Sequence, residues 1–511
     1  MRRDRSSRVV RLAAAAAVAT AALVLLSGAA VAQEAPTWSQ FQGGPAHPGV
    51  LADGPEPPYR VRWTLPAPTG DALSGVVVAG DLAVSVGNEA VYGIDVASGT
   101  IEWRVARDGG PLSIPAIGAG PRGRILVFLD GPGPSDAGGA SEGSPSPSPS
   151  TSPSPSAEPS GSPSTTGPGP SPTGPDEQPD VSTLVAISLA DRTELWRTPL
   201  GETSRSGVTI EGTNAFVGDQ GGTVYAVSLE SGTITWSAEM DGRVDSAVAV
   251  ADGQVVAVAR NTDTAQVVVG AFDGSTGERS WPAQAIQANS TAGTAPSAGG
   301  GSLFIGSADR RVRALDSENG TERWATLALS LFSPATSLAF HDDGVFAADI
   351  AGGLYRLEAA DGGRRWSYQL NEVVLRSSPV VSGSSVLLGL GDGRLVAVDA
   401  ASGHLVWESA PSPGLVGTIA LSSDAVIAVK GGRDAGLIAF EHDPQDALVD
   451  VPSPTQLEGG TTLTRWALAA VIVFAVAFIP GIWATRRFGV VADGDPGDDG
   501  SDRASEPREG P

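Results

Sequence analysis

Cysteine is absent from all 511 residues. This excludes a disulfide framework, cysteine-ligated zinc, iron–sulfur clusters, covalent c-type haem, a cysteine nucleophile and a lipid-modified cysteine anchor. Lysine occurs once, as Lys430, and methionine twice. With 33 basic against 57 acidic residues the formal net charge is -24. That excludes a nucleic-acid partner, because displacing counterions from phosphate needs a basic footprint. Histidine is scarce: His47, His341, His404 and His442 show no metal-ligand spacing, and there is no phosphate-binding loop. No metal and no cofactor is assigned. Plentiful instead are glycine (66), proline (39) and, against an aromatic content of 5%, tryptophan (11). One lysine beside abundant Ala, Gly and Arg is the composition of a GC-rich bacterial gene.

The two ends read as export and anchoring signals. Arg2, Arg3, Arg5, Arg8 and Arg11 precede an Ala-rich apolar stretch, and Ala30-Val31-Ala32 supplies a small-x-small cleavage site. Residues 1–32 are therefore expected to be a signal peptide. Residues 466–485 form an uncharged apolar run, bracketed by Trp466 and Trp483 and followed by Arg486-Arg487. Twenty such residues suffice to cross ~30 Å of hydrocarbon as a helix, and flanking arginines stay on the cytoplasmic side. The expectation is a single-pass protein with its bulk extracytoplasmic. A stalk (444–464) precedes the span, and an acidic, disordered cytoplasmic tail (486–511) follows it.

Between the ends lies a repeat. Trp63, Trp103, Trp196, Trp236, Trp281, Trp324, Trp366 and Trp407 recur at intervals of 40, 93, 40, 45, 43, 42 and 41. The long interval contains a low-complexity insertion, residues 131–180, without which it is 43. A period of 40–45 residues is that of four-stranded propeller blades. Upstream of every Trp but Trp63 stand a small residue (Arg356 in one repeat), an acid or Ser, and a Gly, as in Ala271/Asp273/Gly277/Trp281 and Ala314/Asp316/Gly320/Trp324. One repeat departs, with Arg192 at the Gly position. The pattern predicts a β-hairpin whose acid caps backbone N–H groups, whose Gly takes a positive φ, and whose second strand carries an indole into the space between blades. The last repeat lacks its Trp and the first Trp lacks a preceding blade, so strands from the two ends are expected to share one blade. The fold class is all-β: an eight-bladed β-propeller over 59–443 with N-/C-terminal strand closure, plus one C-terminal transmembrane helix. Residues 33–58 form a segment leading into the ring.

The motif A-x-D-x-x-x-G-x-x-x-W resembles the tryptophan-docking repeat of the pyrroloquinoline-quinone-like (PQQ-like, BamB-like) β-propeller family. The run Trp38-Ser39-Gln40-Phe41-Gln42-Gly43-Gly44-Pro45-Ala46-His47 is similar to that superfamily's N-terminal signature, and the likeness spans about 36–443. It implies the fold. For function it implies several classes: quinoprotein dehydrogenases, non-enzymatic assembly scaffolds and sensor ectodomains. The dehydrogenases hold their quinone between a Trp and an adjacent-cysteine disulfide beside a calcium ion. A chain without cysteine is not expected to share that chemistry.

The insertion 131–180, rich in Ser-Pro runs and without Lys, Arg or aromatic residues, is expected to be disordered and to leave the ring from a hairpin turn, either as a glycosylated spacer or as an inert excursion. Asp219, Asp309, Asp349 and Asp392 occupy turns on one ring face and are expected to be solvated. For binding, the channel mouth is the candidate. Ser74, Ser113, Ser206, Ser246, Ser333 and Ser378 mark the starts of inner strands, with Arg205, Arg243, Asp245 and Arg376 nearby. The competing and preferred explanation is that serine fits a crowded strand and the arginines pair with neighbouring acids. The functional reading is a membrane-anchored, extracytoplasmic, non-catalytic binding or scaffold module for a protein or cell-envelope glycan. The alternative is a cofactor-dependent, quinoprotein-like or carbohydrate-active enzyme.

Overall fold

Short runs of Val, Ile, Leu and Ala, each closed by a Gly- or Asp-containing turn, fold into 33 strands in the computed structural model. It describes residues 38–68, 71–131, 181–287, 294–307, 309–327, 336–432 and 434–445. The expected signal peptide, nearly all of the insertion and stalk, the apolar span and the tail lie outside these residues. Among the described residues no helix is long and apolar enough to cross a membrane.

Thirty-two of the strands form eight antiparallel meanders of four, and the remaining one, Val50–Leu51, adds in parallel to one of them. Seven are sequential: blades 1 to 7 span 73–106, 116–199, 209–239, 249–287, 297–327, 339–369 and 380–408. Blade 8 takes three strands from 416–442, and its outermost strand is Tyr59–Pro66, paired antiparallel with Gly436–His442. The ring is thus closed by strands from both ends, which removes the open edge of an incomplete sheet. Ion pairs reinforce the seam. Arg62 reaches Glu441 (2.8 Å) and Asp424 (2.7 Å), and Arg60 reaches Glu441 at 2.7 Å.

Burial explains the composition of each strand. The third strand of blade 3, Thr223–Ser228, is buried along its centre on both faces, because neighbouring blades cover it. It reads accordingly as a continuous apolar run. The outermost strand, Ile234–Glu239, alternates, with Trp236 buried between exposed neighbours. All eight repeat tryptophans occupy outermost strands, one per blade. Opposite seven of them stands a small residue, such as Ala226 against Trp236 and Ala314 against Trp324, and opposite Trp366 stands Arg356, with a register shift beside the Trp.

The motif works across the blade boundary. The indole N–H of Trp63 donates to Val96 O (2.8 Å) in blade 1, that of Trp196 to Leu229 O (3.0 Å) in blade 3, and that of Trp324 to Ala359 O (2.8 Å) in blade 6. Trp236, Trp281 and Trp366 donate likewise to Gly274 O, Ser317 O and Ala400 O. In every case the acceptor follows the capping acid or Ser of the next blade. The Gly of that next hairpin lies flat on the indole: at Gly277, with φ +75°, a Cβ would sit 2.6 Å from Trp236. The acid caps as expected, Asp273 Oδ1 accepting from the N–H groups of Ser275 (3.0 Å) and Thr276 (2.9 Å).

Two joints depart from the rule. Arg192 adopts φ +64° at the Gly position of blade 2, and its guanidinium stacks 5.7 Å from the Trp103 ring centroid, a cation–π substitute for the missing flat contact. At blade 8 there is no hairpin, and Trp407 meets Tyr59 edge-on at 5.1 Å.

Gly253 provides a control for the docking role: its φ is +77°, yet a Cβ there would meet nothing within 4 Å. We expect Gly253→Ala to cost only the backbone strain of a left-handed residue, about 1 kcal/mol. Gly277→Ala should add overpacking against Trp236, for a total of about 2–4 kcal/mol. Denaturant midpoints of the two variants measure the difference, and equal midpoints would remove the docking explanation.

Candidate functional site

Antiparallel meanders divide the loops between two faces. The Gly–Trp hairpins occupy one. The loops that enter each innermost strand, together with the turns between second and third strands, occupy the other, which is the channel-mouth face.

On this face the structure places Arg205 and Arg376, both exposed, and Arg243 and Asp245, both half-buried. It joins the latter two in one network. Gln220 Nε2 donates to Asp245 Oδ1 (2.8 Å), Arg243 donates to Gln220 Oε1, and Arg260 pairs with Asp245 at 2.9 Å. Arg205 and Arg376 belong to the loops before blades 3 and 7. The entry loops of blades 2 and 7 also expose Leu112 (38%) and Leu375 (43%). The roots of the insertion, Asp130–Gly131 and Val181–Ser182, lie on this face as well. They are held by Asp130, which accepts from Asp108 N (2.8 Å) and pairs with Arg197 (3.0 Å).

The small polar residues link blades. Ser206 Oγ donates to Ser246 O (3.1 Å), and deeper in the channel Thr209 Oγ1 donates to Val248 O (2.6 Å) and Ser297 Oγ to Leu338 O (2.6 Å). In blade 6 the interblade donor is Thr336, to Ser377 O at 2.9 Å, while Ser333 lies outside the described residues. Thr336 and Ser377 occupy the linking positions of blades 6 and 7.

The turn carboxylates also differ from expectation. Asp219 and Asp349 are not solvated but fully buried. Asp219 accepts from Thr223 N (2.8 Å) and the Tyr225 hydroxyl (2.7 Å), and Asp349 from Gly353 N (3.0 Å) and the Tyr355 hydroxyl. Each clamps its own hairpin, the bonding of a structural carboxylate. Asp309 and Asp392 are partly exposed and paired with Arg313 and Arg394.

Sequence reasoning missed what lines the channel. Residues 38–51 do more than lead into the ring; they run around its inner strands as a strap. Trp38 O and Ser39 O accept from Val78 N (2.9 Å) in blade 1 and Ile117 N (2.7 Å) in blade 2. The Gln40 amide takes both the N–H (2.7 Å) and the carbonyl (3.1 Å) of Ile210 in blade 3. Pro45 O, Ala46 O, Pro48 O and Gly49 O then accept from Val250, Ala298, Phe340 and Val381 at 2.7–2.8 Å, one in each of blades 4 to 7. Val50–Leu51 end the strap parallel to Val380–Ser382. A signal for it was present: three polar side chains, Gln40, Gln42 and His47, beside Trp38 and Phe41 in a Gly/Pro segment with no strand period.

The strap lines the channel: Trp38, Phe41 and Gln42 meet Val76 of blade 1, Ile114 of the blade 2 entry loop, Ser378 and Val380 at blade 7 and Thr418 and Ile419 of blade 8 around a small pocket. Among the described residues no three His, Asp or Glu side chains converge on a metal position.

With this geometry, the fold and the interblade indoles define an eight-bladed, tryptophan-docked β-propeller. Residues 180–329 and 264–430 match the family described as outer membrane protein assembly factor BamB. Curated relatives bearing that name include the Bordetella pertussis protein, 29% identical over 250 residues (45% of this chain, 61% of that one), and the Yersinia pestis protein, 24% identical over 241 residues (42% and 58%). The chain spans about three fifths of the length of these relatives. Among solved structures, BamB from Moraxella catarrhalis aligns with a TM-score of 0.53 at 14% identity, over 75% of this chain and all of that one. A europium-containing methanol dehydrogenase aligns at 0.56 and 12%, over 79% and 91%. Identities this low speak for the fold alone. Residues 180–430 carry the family match, and the chain is similar to the PQQ-like β-propeller family in its repeat and fold.

His47 provides a pH probe of the strap. It is fully buried, its Nδ1 lies 2.9 Å from Pro296 O and its Nε2 3.3 Å from Thr209 Oγ1, and burial lowers its pKa to about 4. The unfolded chain takes up this proton near pH 6.5 and the folded chain only near 4. The contribution is therefore complete above pH 6.5 and is lost as pH falls towards 4, by about 3 kcal/mol. Unfolding free energy followed from pH 7 to 4 should show this slope in the parent and lose it in His47→Gln.

Proposed function

We propose that this propeller is a non-catalytic scaffold that binds a protein partner through its channel-mouth face, in the service of cell-envelope assembly. One observation carries the choice of face: exposed leucines, Leu112 and Leu375, share it with exposed arginines, Arg205 and Arg376, around the channel mouth. Apolar side chains with arginine form the residue mix enriched at protein–protein interfaces. The opposite face is committed to interblade docking. The names borne by the relatives support the assembly role. An overall charge of -24 favours partners with basic surfaces, while Arg205 and Arg376 suit acidic groups at the mouth itself. Two further parts of the reading rest on sequence: the signal peptide (1–32) and the apolar span (466–485) make the protein a single-pass membrane protein with its ring outside the cytoplasm. An envelope glycan is the other ligand class that this placement allows.

The test is native purification of the full-length protein from mild detergent, with identification of co-eluting proteins. Amine crosslinkers are unsuitable, since Lys430 is the only lysine. A reproducible envelope protein should co-elute with the parent and fall at least about tenfold with the double variant Arg205→Glu/Arg376→Glu. The thermal midpoint should stay unchanged, because both side chains are exposed. Undiminished capture by that variant would move the interface elsewhere.

A further inference from the structure

The innermost strands of a propeller are edge strands. In blades 3 to 7 they are only three residues long, and each turns an N–H towards the channel with no further strand of its own sheet to receive it. An edge N–H is a template for an added segment, the basis of recognition by strand addition. Here the added segment is the chain's own. From Trp38 to Gly49 the strap satisfies one inner-strand N–H in each of seven blades, in ring order and once per blade.

The strap is addressed as a ligand would be. Its backbone carbonyls accept most of the bonds, while a few side chains set the register: Trp38 is 2% exposed, Gln40 4%, Gln42 3% and His47 0%. Gln40 has a precision that a filler would not need, since its amide occupies both the donor and the acceptor of Ile210. Only Val50–Leu51 pair as a strand. Beyond them the strap is joined to the ring through an exposed turn at Ala52 and Asp53.

We propose that the inner strands form a peptide-binding track, and that residues 38–51 are its resident, autoinhibitory occupant, exchangeable for an extended peptide of the same pattern. The ligand class is an unfolded or extended polypeptide segment carrying a buried aromatic residue and, two positions on, a side-chain amide. While the strap is seated the track is closed to such a segment. With the strap displaced, the channel's inward N–H groups need a new acceptor. The track is independent of the partner surface assigned to the mouth, because its bonds lie on the inner strands themselves.

Two measurements on the full chain test this. The first needs no variant: native-state hydrogen exchange at Val78, Ile117, Ile210, Val250, Ala298, Phe340 and Val381. An exchangeable strap predicts that these amides exchange together, faster than central blade amides such as those of Ala226 and Val227, and are slowed by excess synthetic peptide of residues 38–51. Exchange of all of them only with global unfolding would overturn the proposal. The second inserts a site-specific protease sequence between Ala52 and Asp53. After cleavage the N-terminal fragment should stay with the ring and be displaced by labelled 38–51 peptide, with a peptide bearing Trp38→Ala and Gln40→Ala competing at least about tenfold less well. A folded ring that sheds the fragment and takes up no peptide refutes the track. A ring that unfolds on cleavage shows the strap to be integral rather than exchangeable, and refutes it equally.

Discussion

A single blade of this protein cannot stand alone, and the contact between one blade's indole and the next blade's glycine is what the ring depends on. Four short strands expose two apolar faces, and each must be covered by a neighbour. The indole does the covering at the outer edge, where blades splay apart and aliphatic side chains no longer reach. Burying one contributes roughly 4–6 kcal/mol of apolar transfer, and its N–H removes an otherwise unsatisfied carbonyl in the adjacent turn. The contact also sets geometry. A flat ring beneath a positive-φ glycine fixes the distance and tilt between blades, and repetition of one joint closes the circle at eight. The exceptions reveal what the joint requires. Arg192 and Tyr59 replace glycine with quite different chemistry, yet each presents a surface to an indole.

Docking at the rim leaves the centre to be solved separately. Inner strands crowd together, which favours small residues whose hydroxyls bridge to the next blade, as Ser206, Thr209, Ser297 and Thr336 do. Those bridges use side chains and carbonyls, and they leave inward N–H groups over. The strap takes them up. The buried carboxylates Asp219 and Asp349 do comparable work on the mouth face, each holding a turn in shape through backbone N–H groups and a tyrosine. Polar side chains thus settle the backbone demands of a fold whose apolar packing is repetitive.

The blade count, the shared closing blade and the interblade place of the tryptophans were legible because each is a consequence of periodicity, which survives in a one-dimensional string. Which blade a given glycine serves was not legible. Gly277 and Trp281 look like parts of one hairpin, and only the ring shows that Gly277 covers Trp236. The strap escaped for the opposite reason: it touches seven blades but has no period of its own, and its bonds span up to 332 positions of chain, as between Val381 and Gly49. The acids were misjudged because position in a turn normally means solvent, whereas a tyrosine six residues on, Tyr225 or Tyr355, folds back over the carboxylate.

The unequal loops also say where variation is tolerated. On the docking face each of the seven hairpin repeats holds its acid or serine, its glycine equivalent and its tryptophan at fixed separation, since a residue gained or lost would unseat an indole. The mouth face shows no such discipline. It carries the 131–180 insertion, the long hairpin of blade 4, Gln254–Asn261 with Gln266–Asp273, and entry loops of differing length and charge. Physical constraint is therefore concentrated on one face and freedom collects on the other. A surface free to change its loops without cost to the ring is the one on which recognition can be built, and in this ring that surface surrounds the channel mouth.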